Sequence, residues 1–251
     1  MLRTYHTDKE RPLKLNFSIE PIAECSLLIR FAHPASTRLS LDIGNIAQNI
    51  TEQLQHCIMN VTPSYNSILI DYLPYRISQA KLEYLLLNTL QAVTSHDTKL
   101  PDCIELPAYY DLQVAPDLAR YHQKGLSTEQ VIELHTQRIY TVCAIGFTPG
   151  FAFMTDVHDD LVMPRHTTPR LSIPKGSVAI AESQTAVYPS RSPGGWNIIA
   201  NCPLSLFDAN RAPMTPFTIG AQVKFTSISV EEYSALGGQL IDRGDFKETK
   251  A

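Results

Sequence analysis

The segment from Gly146 to Trp196 constrains the fold more than any other part of the chain. It contains five of the eleven glycines, six of the seventeen prolines and the only tryptophan of the 251 residues. Glycine permits a positive φ or a close backbone approach, whereas proline fixes φ and removes a hydrogen-bond donor. Short apolar runs such as KGSVAIA and WNIIA lie between these residues. The pattern predicts shaped loops between short strands, and we expect the functional site in this segment.

The composition bounds the class of protein. With 44% apolar residues, 18% charged residues and a net charge of −4, the chain is typical of a globular protein without a nucleic-acid-binding surface. No run approaches the roughly twenty apolar residues that span a bilayer, and the N-terminal sequence lacks the apolar core of a signal peptide. The five cysteines form no C-x-x-C pair, which favours reduced thiols. We therefore expect a cytoplasmic protein that binds neither nucleic acid nor a membrane.

The first hundred residues predict a small α+β domain that follows a polar tail of about 14 residues. Apolar spacing and turn residues predict two strands, a helix, a strand and a helix, at 15–22, 25–32, 40–59, 66–74 and 78–93. The order β-β-α-β-α is typical of helices on one face of an antiparallel sheet. The polar stretch 95–102 is the best candidate for a boundary. We therefore expect one domain over residues 1–100 and a second over residues 101–251.

The second domain has a different pattern. Ser127 and Gln130 have the spacing of a capping box, which predicts the start of a helix that carries Val131, Leu134 and His135 on or near one face. Beyond it, seven short apolar runs are separated by glycine and proline: RIYTVCAIGF, RLSIP, SVAIA, TAVYP, WNIIAN, PLSLFD and QVKFTSIS. Many short strands with such punctuation favour a mainly-β barrel or sandwich.

The sequence Pro193-Gly194-Gly195-Trp196 predicts a tight turn. Exposed backbone amides in such a turn can bind an anion or a carbonyl oxygen. A hairpin turn whose tryptophan fills the core would have the same sequence, and spacing alone favours neither interpretation. Arg165 and Arg170, in PRHTTPR, could bind a carboxylate or phosphate with their forked donors, or could simply be solvated.

His135 has two interpretations as well. On an otherwise apolar helix face, a histidine is usually a hydrogen-bonded core residue, although its pKa also suits acid–base chemistry. A catalytic triad of Ser192, His135 and an aspartate is conceivable, but the sequence GxSxG of a nucleophile elbow is absent. If QTAVYP is a strand, Gln184 and Tyr188 share one face and could look into one cavity.

The usual cofactor motifs are absent from the sequence. It contains neither G-x-x-x-x-G-K-[ST] nor G-x-G-x-x-G nor H-E-x-x-H. His158 stands among Asp156, Asp159 and Asp160, which could suggest a metal site, but such a cluster is more often a solvated turn. We therefore expect no metal site and no phosphate loop in this chain.

A series of motifs in one order resembles a known family. GF-x-PGF, PR-x-x-x-PR, GSVAIA, QT-x-x-YP, SPGGW and LFD, within residues 104–230, resemble allophanate hydrolase subunit 1. That family includes the B subunit of bacterial 5-oxoprolinase and a sporulation kinase inhibitor, and it also forms a domain of urea carboxylase. The resemblance implies a cyclophilin-like β-barrel for the second domain.

The resemblance also implies an activity and partners. The chain would act as the B subunit of an ATP-dependent 5-oxoprolinase, which hydrolyses 5-oxo-L-proline to L-glutamate. Its partners would be a carboxyltransferase-like C subunit and a lactam-utilisation-type A subunit, and the complex would use ATP. Two alternatives stay open: inhibition of a sensor histidine kinase, and a carboxyltransferase-type role on urea or a related amide.

Roles for individual residues are hypotheses at this stage. His135, Gln184 and Tyr188 are the catalytic candidates, as a proton shuttle and as donors to a developing oxyanion. The candidates for binding the substrate, including its carboxylate, are the two arginines and the neighbouring loop residues: Arg165, Arg170, Thr185, Ser192, Pro193, Gly194 and Gly195. Phe153 stands where the family commonly has a tyrosine, a departure that bears on substrate identity.

Overall fold

The computed structural model describes residues 16–34, 36–92, 103–241 and 246. The tail predicted for the first 14 residues lies outside these residues, as does the whole of the boundary predicted at 95–102. The chain falls into two compact units. The described residues within 1–34, 45–62 and 66–99 form unit 1, and those within 35–44, 63–65 and 100–251 form unit 2.

Unit 1 combines helix with antiparallel strand. In chain order its elements are β1 (Phe17–Ala23), β2 (Ser26–Phe31), α1 (Thr37–Leu54), β3 (Ile58–Ser64), β4 (Ser67–Tyr72) and α2 (Gln79–Ala92). The first turns of α1 and the last two residues of β3 belong to unit 2. The strand order is β1-β2-β4-β3. Alternate residues of β2 and β4, such as Leu27, Ile29, Ile68 and Ile70, are fully buried, as period-two patterning requires.

Strand β3 corrects the predicted order of elements. The helix predicted over 40–59 begins at Thr37 and ends at Leu54, and Ile58 begins a strand that the sequence pattern missed. The amide of Cys57 bonds to the carbonyl of Leu54, which turns the chain out of the helix. The strand IMNVTPS is polar and mostly half-buried, so it lacks the alternation that reveals a strand. The observed order is β-β-α-β-β-α.

Unit 2 holds the remaining elements. They are β5 (Ile104–Ala108), α3 (Leu118–Gln123), α4 (Thr128–Thr136), β6 (Ile139–Ile145), β7 (Ala152–Thr155), β8 (Arg170–Ile173), β9 (Ser177–Ala181), β10 (Gln184–Val187), β11 (Ser192–Gly194), β12 (Asn197–Asn201), β13 (Gln222–Ser227) and α5 (Val230–Ala235). Helix α4 confirms the predicted capping box: Ser127 accepts from the amide of Gln130, whose side chain accepts from the amide of Ser127. The run PLSLFD, expected as a strand, has no regular secondary structure, although its Leu206 is buried.

The strands of unit 2 form a mostly antiparallel sheet. The order β6-β7-β10-β9-β12 is antiparallel throughout, and β13 pairs antiparallel with β6 and parallel with β5. Tyr109 and Asn201 exchange two backbone hydrogen bonds of 2.9 Å, which join the end of β5 to β12. Every residue of β9 and β12 is buried. Strands β8 and β11 form a separate two-stranded sheet. Over the described residues, no helix is long and apolar enough to cross a membrane.

Candidate functional site

Strands β8 and β11 bring together the arginine motif PRHTTPR and the glycine turn SPGGW. Gly194 pairs with Arg170 and Ser192 pairs with Ile173 across this short antiparallel ladder. The amide of His166 donates to the carbonyl of Gly195 at 2.7 Å. We call residues 165–170 and 192–195, together with Tyr188, the arginine–glycine cluster. Residues more than twenty positions apart in sequence are thus brought together.

Tyr188 is the buried base of this cluster. Its side chain is only 1% exposed, and its hydroxyl fills the space that a side chain at Gly194 would enter. Burial raises the pKa of this phenol, although the charges of Arg165 and Arg170 and a hydrogen bond with the backbone of Trp196 oppose the shift. The hydroxyl therefore keeps its proton at neutral pH, and Tyr188 can act as a donor but not as a base.

Tyr188 is one of a group of aromatic rings that contact one another. Phe151 makes edge-to-face contacts with Tyr188 at 5.2 Å and with Trp196 at 5.7 Å between ring centroids. Phe147 contacts both Phe151 and Tyr188, yet it is 60% exposed and has a φ of 70°. Trp196 is 6% exposed, so the turn has its tryptophan in the core. The buried ring supports the core interpretation of the turn. Binding of an anion or a carbonyl oxygen by its amides stays a prediction, since Gly194 is half-buried and Gly195 is buried.

Asp117 is the residue that sequence reasoning missed. Its buried carboxylate accepts hydrogen bonds from both terminal nitrogens of Arg170 (2.7 and 2.8 Å), from Nε2 of His166 (3.0 Å) and from the amide of Ile198 (2.7 Å). Burial alone would raise the pKa of Asp117, but these hydrogen bonds and the Arg170 charge outweigh it and lower the pKa to about 2. Asp117 is therefore ionised at neutral pH. In the sequence, an aspartate just before a helix signals only a cap, and this one makes no side-chain cap bond.

The two arginines differ in what they can bind. Asp117 occupies the guanidinium fork of Arg170, which is 7% exposed and also lies 5.9 Å from the ring of Phe246. This position favours a structural role for Arg170 over direct binding of a substrate carboxylate. Arg165 is exposed, and its charge opposes the rise in the pKa of the Tyr188 hydroxyl. Arg165 is therefore the better placed of the two to meet an anionic ligand.

His135 and Thr185 lie in the core of unit 2, where they bond to each other. The Thr185 hydroxyl donates to the carbonyl of Ala179 at 3.1 Å, so it accepts from Nε2 of His135 at 3.1 Å. Nδ1 of His135 is then the acceptor for the hydroxyl of Tyr110 at 2.7 Å. Desolvation by burial lowers the pKa of His135 to about 3, so the ring is neutral at pH 7. This position favours a hydrogen-bonded core histidine rather than a proton shuttle.

Gln184 is held at the start of β10. Its side-chain nitrogen donates to the hydroxyl of Tyr65 at 2.8 Å, and the ring of Tyr65 contacts Phe153 at 6.5 Å. Phe153 in turn contacts Phe151, which packs against Tyr188. Aromatic rings therefore separate Gln184 from the arginine–glycine cluster in this chain of contacts. A donor at Gln184 would serve a different position from a donor at Gly194.

The segment around His158 and a separate cavity are the other candidates for a site among the described residues. His158 accepts from the amide of Asp160 through Nδ1 at 3.2 Å, as the N-cap of a 3₁₀ turn at Asp159–Leu161. No group of three or more His, Cys, Asp or Glu side chains in the described part of the chain could hold a metal. A cavity of about 290 Å³ is lined by residues that include Lys175, Arg191, Asn201 and Tyr233.

The mostly antiparallel fold and its motifs are shared with a known family of domains. A family model described as carboxyltransferase domain, subdomain C and D, matches residues 17–217, and the chain belongs to this family. The B subunit of 5-oxoprolinase from Bacillus subtilis (strain 168) is 32% identical over 237 residues, which cover 89% of this chain and 98% of that protein. The resemblance drawn from the motifs is thereby confirmed.

Solved structures show the same fold. A crystal structure of TTHA0988 matches with a TM-score of 0.73 and 30% identity, covering 81% of this chain. This chain spans only 40% of the TTHA0988 chain. The Kluyveromyces lactis urea carboxylase matches with a TM-score of 0.64 over 99% of this chain and 25% of that one. At 13% identity, that second match concerns the fold alone.

Proposed function

We propose that this chain is the B subunit of a 5-oxoprolinase, which opens the lactam ring of 5-oxo-L-proline to give L-glutamate. The observation that carries the proposal is the match to the B subunit of the Bacillus subtilis 5-oxoprolinase along nearly its whole length. The arginine–glycine cluster supports it, since it combines the exposed Arg165, the protonated phenol of Tyr188 and the glycine turn. The ring of Phe147 contacts that phenol.

These groups fit the parts of a small cyclic acid. Arg165 would bind the carboxylate through its forked donors. The exposed ring of Phe147 would contact the apolar edge of the five-membered ring, and the buried ring of Phe151 would support Phe147 from the core. Backbone amides near Gly194 and Gly195 would face the lactam oxygen, which gains negative charge when water adds to the carbonyl carbon. Ring opening then breaks the C–N bond, and the nitrogen leaves as an amine after taking up a proton.

The other candidate residues receive roles that follow from their positions. His135 and Thr185 would stabilise the core of unit 2 through their mutual hydrogen bond. Arg170 would stabilise the arginine–glycine cluster through its ion pair with Asp117. Ser192 and Pro193 would shape the turn that presents the amides of Gly194 and Gly195. Gln184 would donate at the far side of the aromatic rings.

The fold proposal is that residues 101–251 form a cyclophilin-like barrel. Support comes from the strand order β6-β7-β10-β9-β12, from the pairing of β13 with β6 and β5, and from the isolated Tyr109–Asn201 bridge between the residue after β5 and β12. A fragment that starts at residue 101 loses residues 35–44, including Leu41, against whose backbone Gly220 packs. We expect this fragment to unfold cooperatively but at a lower temperature than the full chain. Loss of near-ultraviolet circular dichroism would contradict a separate C-terminal domain.

The proposed partners are a carboxyltransferase-like C subunit and a lactam-utilisation-type A subunit, with ATP used by the assembled complex. A phosphate loop in this chain is not part of the proposal, because the sequence lacks that motif. A cytoplasmic location is supported by the five cysteines, none of which forms a disulfide.

The test is reconstitution. The three subunits are purified and mixed with 5-oxoproline and ATP, and glutamate is measured with and without this chain. We expect glutamate formation that requires this chain and ATP together. A complete mixture that forms the complex but releases no glutamate would refute the proposed activity.

A further inference from the structure

His166 connects the exposed part of the arginine–glycine cluster to the core. Its ring donates from Nε2 to Oδ1 of Asp117 at 3.0 Å, and its backbone amide donates to the carbonyl of Gly195 at 2.7 Å. The side chain is 23% exposed, whereas that of Asp117 is 4% exposed. One residue therefore joins a buried carboxylate to the glycine turn.

Asp117 is a fixed anchor for this connection. Beside its contact with His166, it accepts from both terminal nitrogens of Arg170 and from the amide of Ile198. Its own amide donates to the carbonyl of Ile198 at 3.2 Å. These bonds fix the carboxylate relative to β8, β12 and the start of α3. The hydrogen bond from His166 to this carboxylate therefore fixes the orientation of the His166 ring.

The segment that His166 anchors is otherwise exposed. Arg165, Thr167, Thr168 and Pro169 are all solvent-exposed, and only Arg170 returns to the interior. Arg165 carries a long side chain whose rotamer freedom must be restricted before it can bind a ligand with high affinity. Both direct neighbours of Arg165 are anchored: the carbonyl of Pro164 accepts from Nδ2 of Asn197 at 3.1 Å, and the ring of His166 bonds to Asp117. Of these two anchors, only the one at His166 also joins the glycine turn, through its backbone amide.

We infer that His166, held by Asp117, is a positioning residue that sets Arg165 and the Gly194–Gly195 turn at a fixed distance from each other. This inference rests on the proposed function, because it concerns how that site holds a lactam acid. Asp117 is an acceptor only, so the bond requires a proton on Nε2 of His166 in either charge state. A side chain that carries an amide NH2 group at a similar distance from the backbone should therefore replace the ring.

The experiment compares three variants of the chain in the reconstituted complex. His166→Ala removes the bond, His166→Gln supplies an amide donor in place of Nε2, and Leu171→Ala changes a residue that is 61% exposed and lies just outside the arginine–glycine cluster. We expect His166→Ala to lower kcat/KM for 5-oxoproline roughly ten- to hundred-fold, since a displacement of about 1 Å in a site costs on this order. His166→Gln should recover most of the loss, and Leu171→Ala should match the wild type.

Fluorescence gives a readout that does not depend on activity. Trp196 is the only tryptophan and follows Gly195 directly, so its quenching by acrylamide reports on the turn. We expect faster quenching in His166→Ala, with wild-type behaviour in the other two variants.

The outcomes separate the two proposals. If the wild-type complex makes no glutamate, the proposed function fails, and the quenching still decides whether His166 holds the turn. If His166→Ala leaves both kcat/KM and quenching at wild-type values, the positioning role is overturned. Lower thermal stability in His166→Ala with unchanged kcat/KM would also overturn it, because a merely structural role gives that pattern.

Discussion

The hydroxyl of Tyr188 lies directly against the α-carbon of Gly194, in the space where any other residue would place its β-carbon. Gly194 has no positive φ, so the requirement for glycine is one of space and not of backbone conformation. The phenol thus lies beneath the glycine turn of the site because position 194 has no side chain.

Gly194→Ala tests this contact. The added methyl group must displace the Tyr188 hydroxyl or the turn, and overpacking of this kind costs about 1–3 kcal/mol. We expect a lower melting temperature and a large loss of glutamate formation. Gly146→Ala is the matched control, since no atom lies within 4 Å of its added carbon. Wild-type activity in Gly194→Ala would mean that the Tyr188–Gly194 contact has no part in the site.

Asp117→Asn tests the buried carboxylate. It leaves the Arg170 guanidinium without its charged partner, and breaking a buried pair in this way costs about 3–5 kcal/mol. Urea denaturation at pH 7 measures the loss, with the exposed Asp159→Asn as the control. An unchanged midpoint would contradict the anchoring role of Asp117.

The same carboxylate has a predicted pH dependence. Its pKa falls from 3.8 in the unfolded chain to about 2 in the folded one, so its contribution is present above pH 4 and disappears as the pH falls towards 2. That shift corresponds to about 2 kcal/mol. The difference in unfolding free energy between wild type and Asp117→Asn should therefore shrink below pH 4. A constant difference would argue against the lowered pKa.

The pKa of His135 predicts a separate dependence at milder acidity. Because desolvation lowers that pKa from 6.5 to about 3, the unfolded chain binds a proton that the folded chain does not. The free energy of unfolding should therefore decrease as the pH falls from 6.5 towards 3, by about 1.4 kcal/mol per pH unit. His135→Gln removes this part of the slope, which denaturation at pH 7, 6 and 5 would reveal. Equal slopes in the two proteins would show that His135 titrates normally.

Trp196→Ala tests the buried half of the turn. The ring packs edge-to-face on Phe151 and Phe153, and removal of a large core side chain costs about 3–5 kcal/mol. Leu171→Ala, at 61% exposure, should change stability by less than about 0.5 kcal/mol. A wild-type melting temperature for Trp196→Ala would place the ring outside the core.

The sequence predicts those features that depend on local pattern. The capping box at Ser127 and the wholly buried strands β9 and β12 follow from residues within a few positions of one another. Strand β3 escapes prediction because IMNVTPS lacks apolar alternation and directly follows a helix of strong periodicity. Local pattern therefore identifies elements whose own residues carry the signal.

The residues of the site also divide into those with a local sequence signal and those without one. The glycine turn and the arginine motif are evident from their composition, and the pairing of Gly194 with Arg170 brings them together. Asp117 carries no local signal, because its partners lie 49 to 81 residues further along the chain. The burial of His135 also depends on distant residues, Thr185 and Phe225, that pack around its ring. Which of several suitable side chains reaches the surface is decided by tertiary packing.

The central claim is that Arg165 and the glycine turn bind the lactam acid, and substrate discrimination tests it most directly. The reconstituted enzyme is assayed with 5-oxoproline and with its uncharged carboxamide, using wild-type chain and Arg165→Ala. We predict that the wild type prefers the acid and that Arg165→Ala loses most of this preference, with kcat/KM for the acid roughly ten- to hundred-fold lower. An undiminished preference for the acid in Arg165→Ala would place the carboxylate site elsewhere and contradict the account.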